Sequence, residues 1–364
     1  MRDFKKVAGF FVVALRDFNF STEWESFLKE YPIGGLGLFN SPHDDPDFIW
    51  KNPESALEAM YGVSRKAREQ KLFLSVDQEG GRVARLKSPF IKIPPAEEMA
   101  MIFAERSNPN QIYDFYRLVA EQLALSGIHL NFAPVCDLRY EETSSVIGDR
   151  SFGGEPAVVI QMVRLFCEAM SSEDVATTLK HLPGHGPTKF DSHESIAVTL
   201  KTEREMLAED FKIFEECAEF ATAVMPGHIA YMDSPDRIIS LDKGHLETLR
   251  KRLPEGLRWI SDDLALMKAV SSRDPWIRCF DLNYDHMLLC GDLNQAAKAI
   301  EATIRHAEKT VVDTKEQLAL EMRIQHSRES FQPSRPLLEF NSWLEAIRIG
   351  SEKAEEILEE IRIV

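Results

Sequence analysis

The sequence predicts an α/β protein built as a single (β/α)8 barrel of the TIM type, with additional C-terminal helices. Three observations lead there. Eight short apolar runs recur along the chain, amphipathic segments of helical period separate most of them, and polar or charged residues collect just after the runs. The runs are residues 7–15, 34–39, 72–77, 129–134, 176–181, 222–228, 257–263 and 286–291. Each has strand length and is apolar enough to be buried on both faces, as strands of a parallel sheet are.

Helices are expected between them. Residues 53–70 place Leu57, Met60, Tyr61 and Ser64 on one stripe. Residues 110–126 stop before Gly127, a residue that ends helices readily. Residues 155–172 and 202–219 follow the same plan. Alternating strands and helices favour a parallel sheet, and eight units favour a closed barrel over an open one. An open dinucleotide-binding sheet would carry GxGxxG after an early strand. Gly34-Gly35-Leu36-Gly37 lacks that spacing and reads as a strand with close backbone packing.

A barrel takes about 250 residues. The surplus lies mostly after Asp292, where 295–309, 314–329 and 343–361 look helical. Residues 1–310 are read as the barrel, and 311–364 as helices packed on it within the same domain.

The formal net charge of −16 argues against nucleic acid or an anionic membrane as partner. The five cysteines are scattered without a CxxC pair, which favours a reducing compartment and a cytoplasmic protein. Lys5-Lys6 followed by residues 7–15 imitates the start of a secretory signal. Arg16 and Asp17 follow at once without a small-residue cleavage site, so this run is read as the first buried strand. No run approaches the ~20 apolar residues of a membrane span.

Barrel active sites form at the C-terminal ends of strands. There the chain carries Asp77 to Arg85, then Asp137 and Arg150, then Lys180, His181, His185, Asp191 and His193, and finally His228, Asp262 and Asp263. Such residues suit sugar chemistry. A strand-end carboxylate can attack an anomeric carbon, and a histidine can pass a proton to the leaving oxygen and later take one from water. Asp191, two residues before His193, is placed to orient that imidazole. A metal reading of His181, His185 and His193 is set aside, because Pro183 and Gly184 forbid a helix carrying both of the first two. Asp263 reads as a structural strand-end acid or a group that helps position its neighbour, His228 equally well as a hydrogen-bonded rim histidine, and Arg82 with Glu79 as a loop-shaping pair.

The elements VDQEGGRVARL, NFAPVCDL, VIGDRSFGG, LKHLPGHG, DSH and ISDDL occur in this order. In them the chain resembles the β-N-acetylglucosaminidases of glycoside hydrolase family 3, and among these the single-barrel bacterial enzymes of peptidoglycan recycling. The resemblance implies Asp262 as nucleophile and His193, supported by Asp191, as acid/base. It implies Asp77, Arg85, Arg150, Lys180 and His181 as contacts to the terminal sugar, and His228 is added to them as a rim candidate. No cofactor and no metal are expected. The implied partner is an N-acetylglucosamine-containing glycan or muropeptide, bound by a monomer. A phosphorylase on the same fold and a non-catalytic sugar-binding barrel are the alternatives. The chain departs from the family pattern after Asp263, where one residue is added, at Asn40-Ser41, at Pro187 and at 283–285.

Overall fold

The computed structural model describes residues 4–16, 18–39, 49–106, 108–140, 146–188, 196–267, 270, 274–329, 331 and 335–362. Eight parallel strands follow one another round a barrel: β1 (Phe11–Arg16), β2 (Gly35–Phe39), β3 (Phe73–Val76), β4 (Ile128–Asn131), β5 (Ala176–Leu182), β6 (Ala223–Pro226), β7 (Arg258–Trp259) and β8 (Met287–Leu289). Each pairs with the next, and β8 pairs back onto β1 with Phe11 opposite Met287. The last seam, between β7 and β8, is closed by a parallel bridge between Ile260 and His286 and by Ser261 N–H donating to His286 O at 3.0 Å. The expected (β/α)8 barrel is therefore the fold.

Helices α1 (Thr22–Glu30), α2 (Pro53–Glu69), α3 (Ala96–Arg106), α4 (Pro109–Leu125), α5 (Pro156–Ser171), α6 (Glu203–Ala208), α7 (Phe211–Cys217), α8 (Lys243–Arg250), α9 (Pro275–Asp281) and α10 (Leu293–Thr310) connect the strands. Large residues such as Phe73, Phe132, Met225 and Leu288 fill the barrel interior. Close backbone approach explains Gly34, where a Cβ would lie 2.2 Å from Gly9 O.

Two expectations are corrected. Residues 7–10 are not strand but the end of a 3-10 helix, Phe4–Phe10, under the barrel. A short buried apolar run looks alike in either state, and here its burial against α10 decides. Residues 202–219 are not one helix: the chain breaks at Glu209 between α6 and α7. At the break Asp210 is drawn inward, taking Lys201 Nζ at 2.6 Å and the Tyr140 hydroxyl at 3.0 Å.

Beyond the barrel, α11 (Thr314–Glu329) packs on the 3-10 helix and α12 (Phe340–Arg362) lies along α4. Between them Phe331 is buried against Phe73, where β3 begins, and against His286, just before β8, with ring centroids 5.1 and 5.4 Å away. It thus caps the floor of the barrel, opposite the strand ends that carry the polar residues. Trp343 on α12 is fully buried and donates Nε1–H to Ser126 Oγ at 3.2 Å. Trp343→Ala is expected to cost about 3–5 kcal/mol, read as a lower denaturant midpoint. A loss below about 1 kcal/mol would show that α12 does not support the barrel.

Candidate active site

The C-terminal ends of the strands surround a cavity of about 460 Å³. Asp77, Arg85, Arg150, Lys180, His181 and Asp262 all line it. Asp77 and Glu79 follow β3. Lys180 Nζ lies between them, 2.9 Å from Asp77 Oδ1 and 2.5 Å from Glu79 Oε1. Arg150 grips Glu79 with two N–H donors, at 2.8 and 2.9 Å. Arg85 Nη2 reaches Asp77 Oδ2 at 3.2 Å. One chain of alternating charge thus runs Arg85, Asp77, Lys180, Glu79, Arg150. Burial opposes ionisation of Glu79, but Arg150 and Lys180 outweigh it and hold the carboxyl far below the usual range. The array offers fixed donors beside fixed acceptors, which is what sugar hydroxyls require.

His181 is fixed from behind. Its Nδ1 meets Asp137 Oδ2 at 2.7 Å, and the fully buried Asp137 also accepts backbone N–H from His181 and His185. Burial opposes the Asp137 charge, yet His181 and these N–H donors hold the carboxyl low. The imidazole therefore presents its far edge to the cavity. His185 is pinned by Thr188, 3.0 Å from Nδ1, and burial pulls its pKa down to about 4. Among the described residues no group of three or more His, Cys, Asp or Glu is arranged to hold a metal.

Asp262 stands across the cavity, beyond β7. Its Oδ1 accepts the Asp263 N–H at 2.8 Å, and its other oxygen has no hydrogen bond within the described structure. Burial opposes its ionisation. His181, His228, the Asp263 N–H and Lys180 prevail, and the carboxyl lies below the usual carboxylate range. Burial in turn lowers the pKa of His228. The neighbouring Asp263 is engaged differently: it takes backbone N–H from Cys290, Ala265 and Leu266 at 2.7, 3.0 and 2.8 Å. That saturation ties the β7 and β8 ends together and leaves Asp262 as the available carboxylate.

Two sequence readings change. His228 does not reach the cavity; it is fully buried, and its Nε2–H donates to Asp263 O at 3.1 Å while Nδ1 accepts from Ser240 at 2.6 Å. It braces the strand end and is not placed to touch sugar. Arg82 does not pair with Glu79. It reaches Asp149 at 3.0 Å, because Glu79 is already taken by two buried cations. Glu79 is the site residue the sequence reading missed, although its position two residues after Asp77 marked it. Asp191 and His193 lie outside the described residues, as do Asn40 and Ser41.

A closed parallel barrel whose strand ends set, among the described residues, one carboxylate with an unbonded oxygen opposite an array of fixed donors and acceptors has the build of a glycoside hydrolase. Comparison with known proteins makes this specific. The model of the Glycosyl hydrolase family 3 N terminal domain matches residues 5–304. The chain belongs to glycoside hydrolase family 3. A β-hexosaminidase of Tolumonas auensis is 34% identical over 251 residues, covering 67% of this chain and 70% of the relative. One from Vibrio cholerae is 30% identical over 294 residues, covering 78% and 83%. Among solved structures, native NagZ from Neisseria gonorrhoeae superposes with a TM-score of 0.77 at 21% identity over 97% of both chains. LpqI of M tuberculosis gives 0.76 at 24%, covering 92% of this chain and 95% of that one. At such identities these structures speak to the fold.

Proposed function

We propose that this chain is a retaining β-N-acetylhexosaminidase that releases terminal β-linked N-acetylglucosamine. The observation that carries the reading is the placement of Asp262, with a free carboxylate oxygen, facing the Asp77–Lys180–Glu79–Arg150 array. The name β-hexosaminidase carried by the relatives at 30% identity or more supports a hexosamine as the sugar, which we read as N-acetylglucosamine. In the first step an Asp262 oxygen bonds to the anomeric carbon, the bond to the leaving oxygen breaks, and His193 supplies the proton to that oxygen. In the second, His193 takes a proton from water, the water oxygen bonds to the anomeric carbon, and Asp262 is released as carboxylate. Asp191 orients the imidazole and stabilises its cation. Asp77, Arg85, Arg150, Lys180 and His181 hold the sugar hydroxyls.

The natural substrates in this reading are muropeptides, acted on in the cytoplasm by a monomer. The free state of all five cysteines accords with a reducing compartment. A chromogenic β-N-acetylglucosaminide is expected to be cleaved at least about tenfold faster than the matching glucoside, by the discrimination a built polar subsite supplies. Equal rates, or no cleavage by folded protein, overturn the assignment. Release of a sugar 1-phosphate in phosphate buffer would make the chain a phosphorylase instead.

A further inference from the structure

Besides Asp262 and the array on β3 to β5, the cavity holds a charge that no role above uses. Arg16 ends β1 and lines the cavity beside Phe39, Leu288 and Cys290. On the rim from β7 through β8, β1 and β2 to β3, it is the only charged lining residue between Asp263 and Asp77 among those described.

The other cations of the lining have carboxylate partners. Arg82 pairs with Asp149, Arg85 with Asp77, Arg150 with Glu79, and Lys180 with both Asp77 and Glu79. Arg16 has none among the described residues. One terminal nitrogen, Nη2, donates to Cys290 O, and its Nε is buried without an acceptor. Arg85 shares this state: its Nε is also buried and unpaired, and its guanidinium lies 5.5 Å from the Phe39 ring centroid. Two unsatisfied guanidinium N–H groups therefore line one cavity, one at the end of β1 and one in the segment after β3. Buried donors are rarely left without acceptors, and both guanidinium groups belong to residues that line the cavity, where a bound ligand brings acceptor oxygens.

The geometry of a pyranose says which kind of atom. With the anomeric carbon at Asp262 on β7 and the ring hydroxyls across the cavity at Asp77 and Lys180, one flank of the ring faces β8 and β1. That flank carries an exocyclic substituent, and Phe39, Leu288 and Cys290 provide it with an apolar wall next to the guanidinium.

We infer that Arg16 is a further sugar-binding residue, donating to an exocyclic oxygen of the terminal sugar. This rests on the glycosidase reading above. The acceptor is either the hydroxyl on C6 or the acetamido carbonyl on C2, which share the chemistry of a neutral oxygen acceptor.

The test uses the full chain with Arg16→Met and Arg16→Lys and three chromogenic β-glycosides: of N-acetylglucosamine, of its 6-deoxy analogue, and of glucose, which lacks the acetamido group. Arg16→Met should lower kcat/KM for the N-acetylglucosaminide about 10- to 100-fold, as loss of a buried polar contact does. The loss should shrink to a few-fold with whichever analogue lacks the oxygen that Arg16 holds. Arg16→Lys keeps the charge but cannot replace the Nε donor, so it should recover only part of the rate. It also serves as the second variant should the methionine protein fold poorly. Equal losses on all three glycosides in well-folded Arg16→Lys would make Arg16 a strut between β1 and β8 and overturn the proposal, as would unchanged activity. If the wild type cleaves none of the three, the glycosidase reading fails separately. Calorimetric binding of free N-acetylglucosamine then decides on Arg16: weaker binding in the variants supports it, while equal binding or none overturns it.

Discussion

Asp262→Ala is expected to remove nearly all turnover, by on the order of 10⁴-fold or more, as loss of a nucleophile does in enzymes with a covalent step. Sugar binding should persist, because the array on β3 to β5 does not depend on Asp262 for its ion pairs. Steady-state kinetics with a chromogenic glycoside, together with calorimetric titration of N-acetylglucosamine, separates the two effects. Retention of a tenth of the wild-type rate would remove Asp262 from the mechanism and point to its neighbour. The structure argues against that neighbour, since Asp263 is occupied by three backbone N–H donors. With its carboxyl held below the ordinary value of 3.8, Asp262 stays ionised wherever the protein is folded near neutrality. Changes of rate between about pH 5 and 8 then report the histidine that carries the proton.

The second large effect concerns stability. Glu79→Ala would leave the buried Arg150 and Lys180 with less counter-charge than they have now, and removing one partner of a buried ion pair costs about 3–5 kcal/mol. Glu79→Gln, which keeps volume and an acceptor oxygen, should lose less. The pH dependence follows from the sign of the shift. A depressed carboxyl contributes its full stabilisation above its unfolded value, 4.5 for Glu79, and loses it as pH falls towards the folded value. The gap in denaturant midpoint between wild type and Glu79→Gln should therefore be constant around neutrality and close on acidification. A gap that widens in acid would contradict the ion-pair account.

Much of the site could be read in the chain because its residues sit next to buried strands. Asp77, Lys180, His181 and Asp262 each stand at the end of a run whose hydrophobicity announced a strand, and a parallel barrel brings all such ends to one rim. Partnerships were less legible. Nothing local to Glu79 says that its carboxylate meets Arg150, 71 positions away, instead of Arg82 three positions on. His228 looked like a rim residue by position, but its imidazole turns toward Ser240 and the Asp263 carbonyl. Arg16 was read only as the charge that ended an apolar run.

The ordered motifs of the chain were thus enough for the family to which it belongs, and its periodicity for the barrel and for most of its helices. These depend on which residues are apolar and at what spacing, and both are properties of the linear chain. Closure of β7 onto β8, the floor made by Phe331, the break at Asp210 and the pairing of the cavity cations all depend on groups far apart in sequence. Their geometry is set by which buried charges and donors meet once the barrel has closed. For the same reason the orphan donor of Arg16 becomes visible only in the folded molecule.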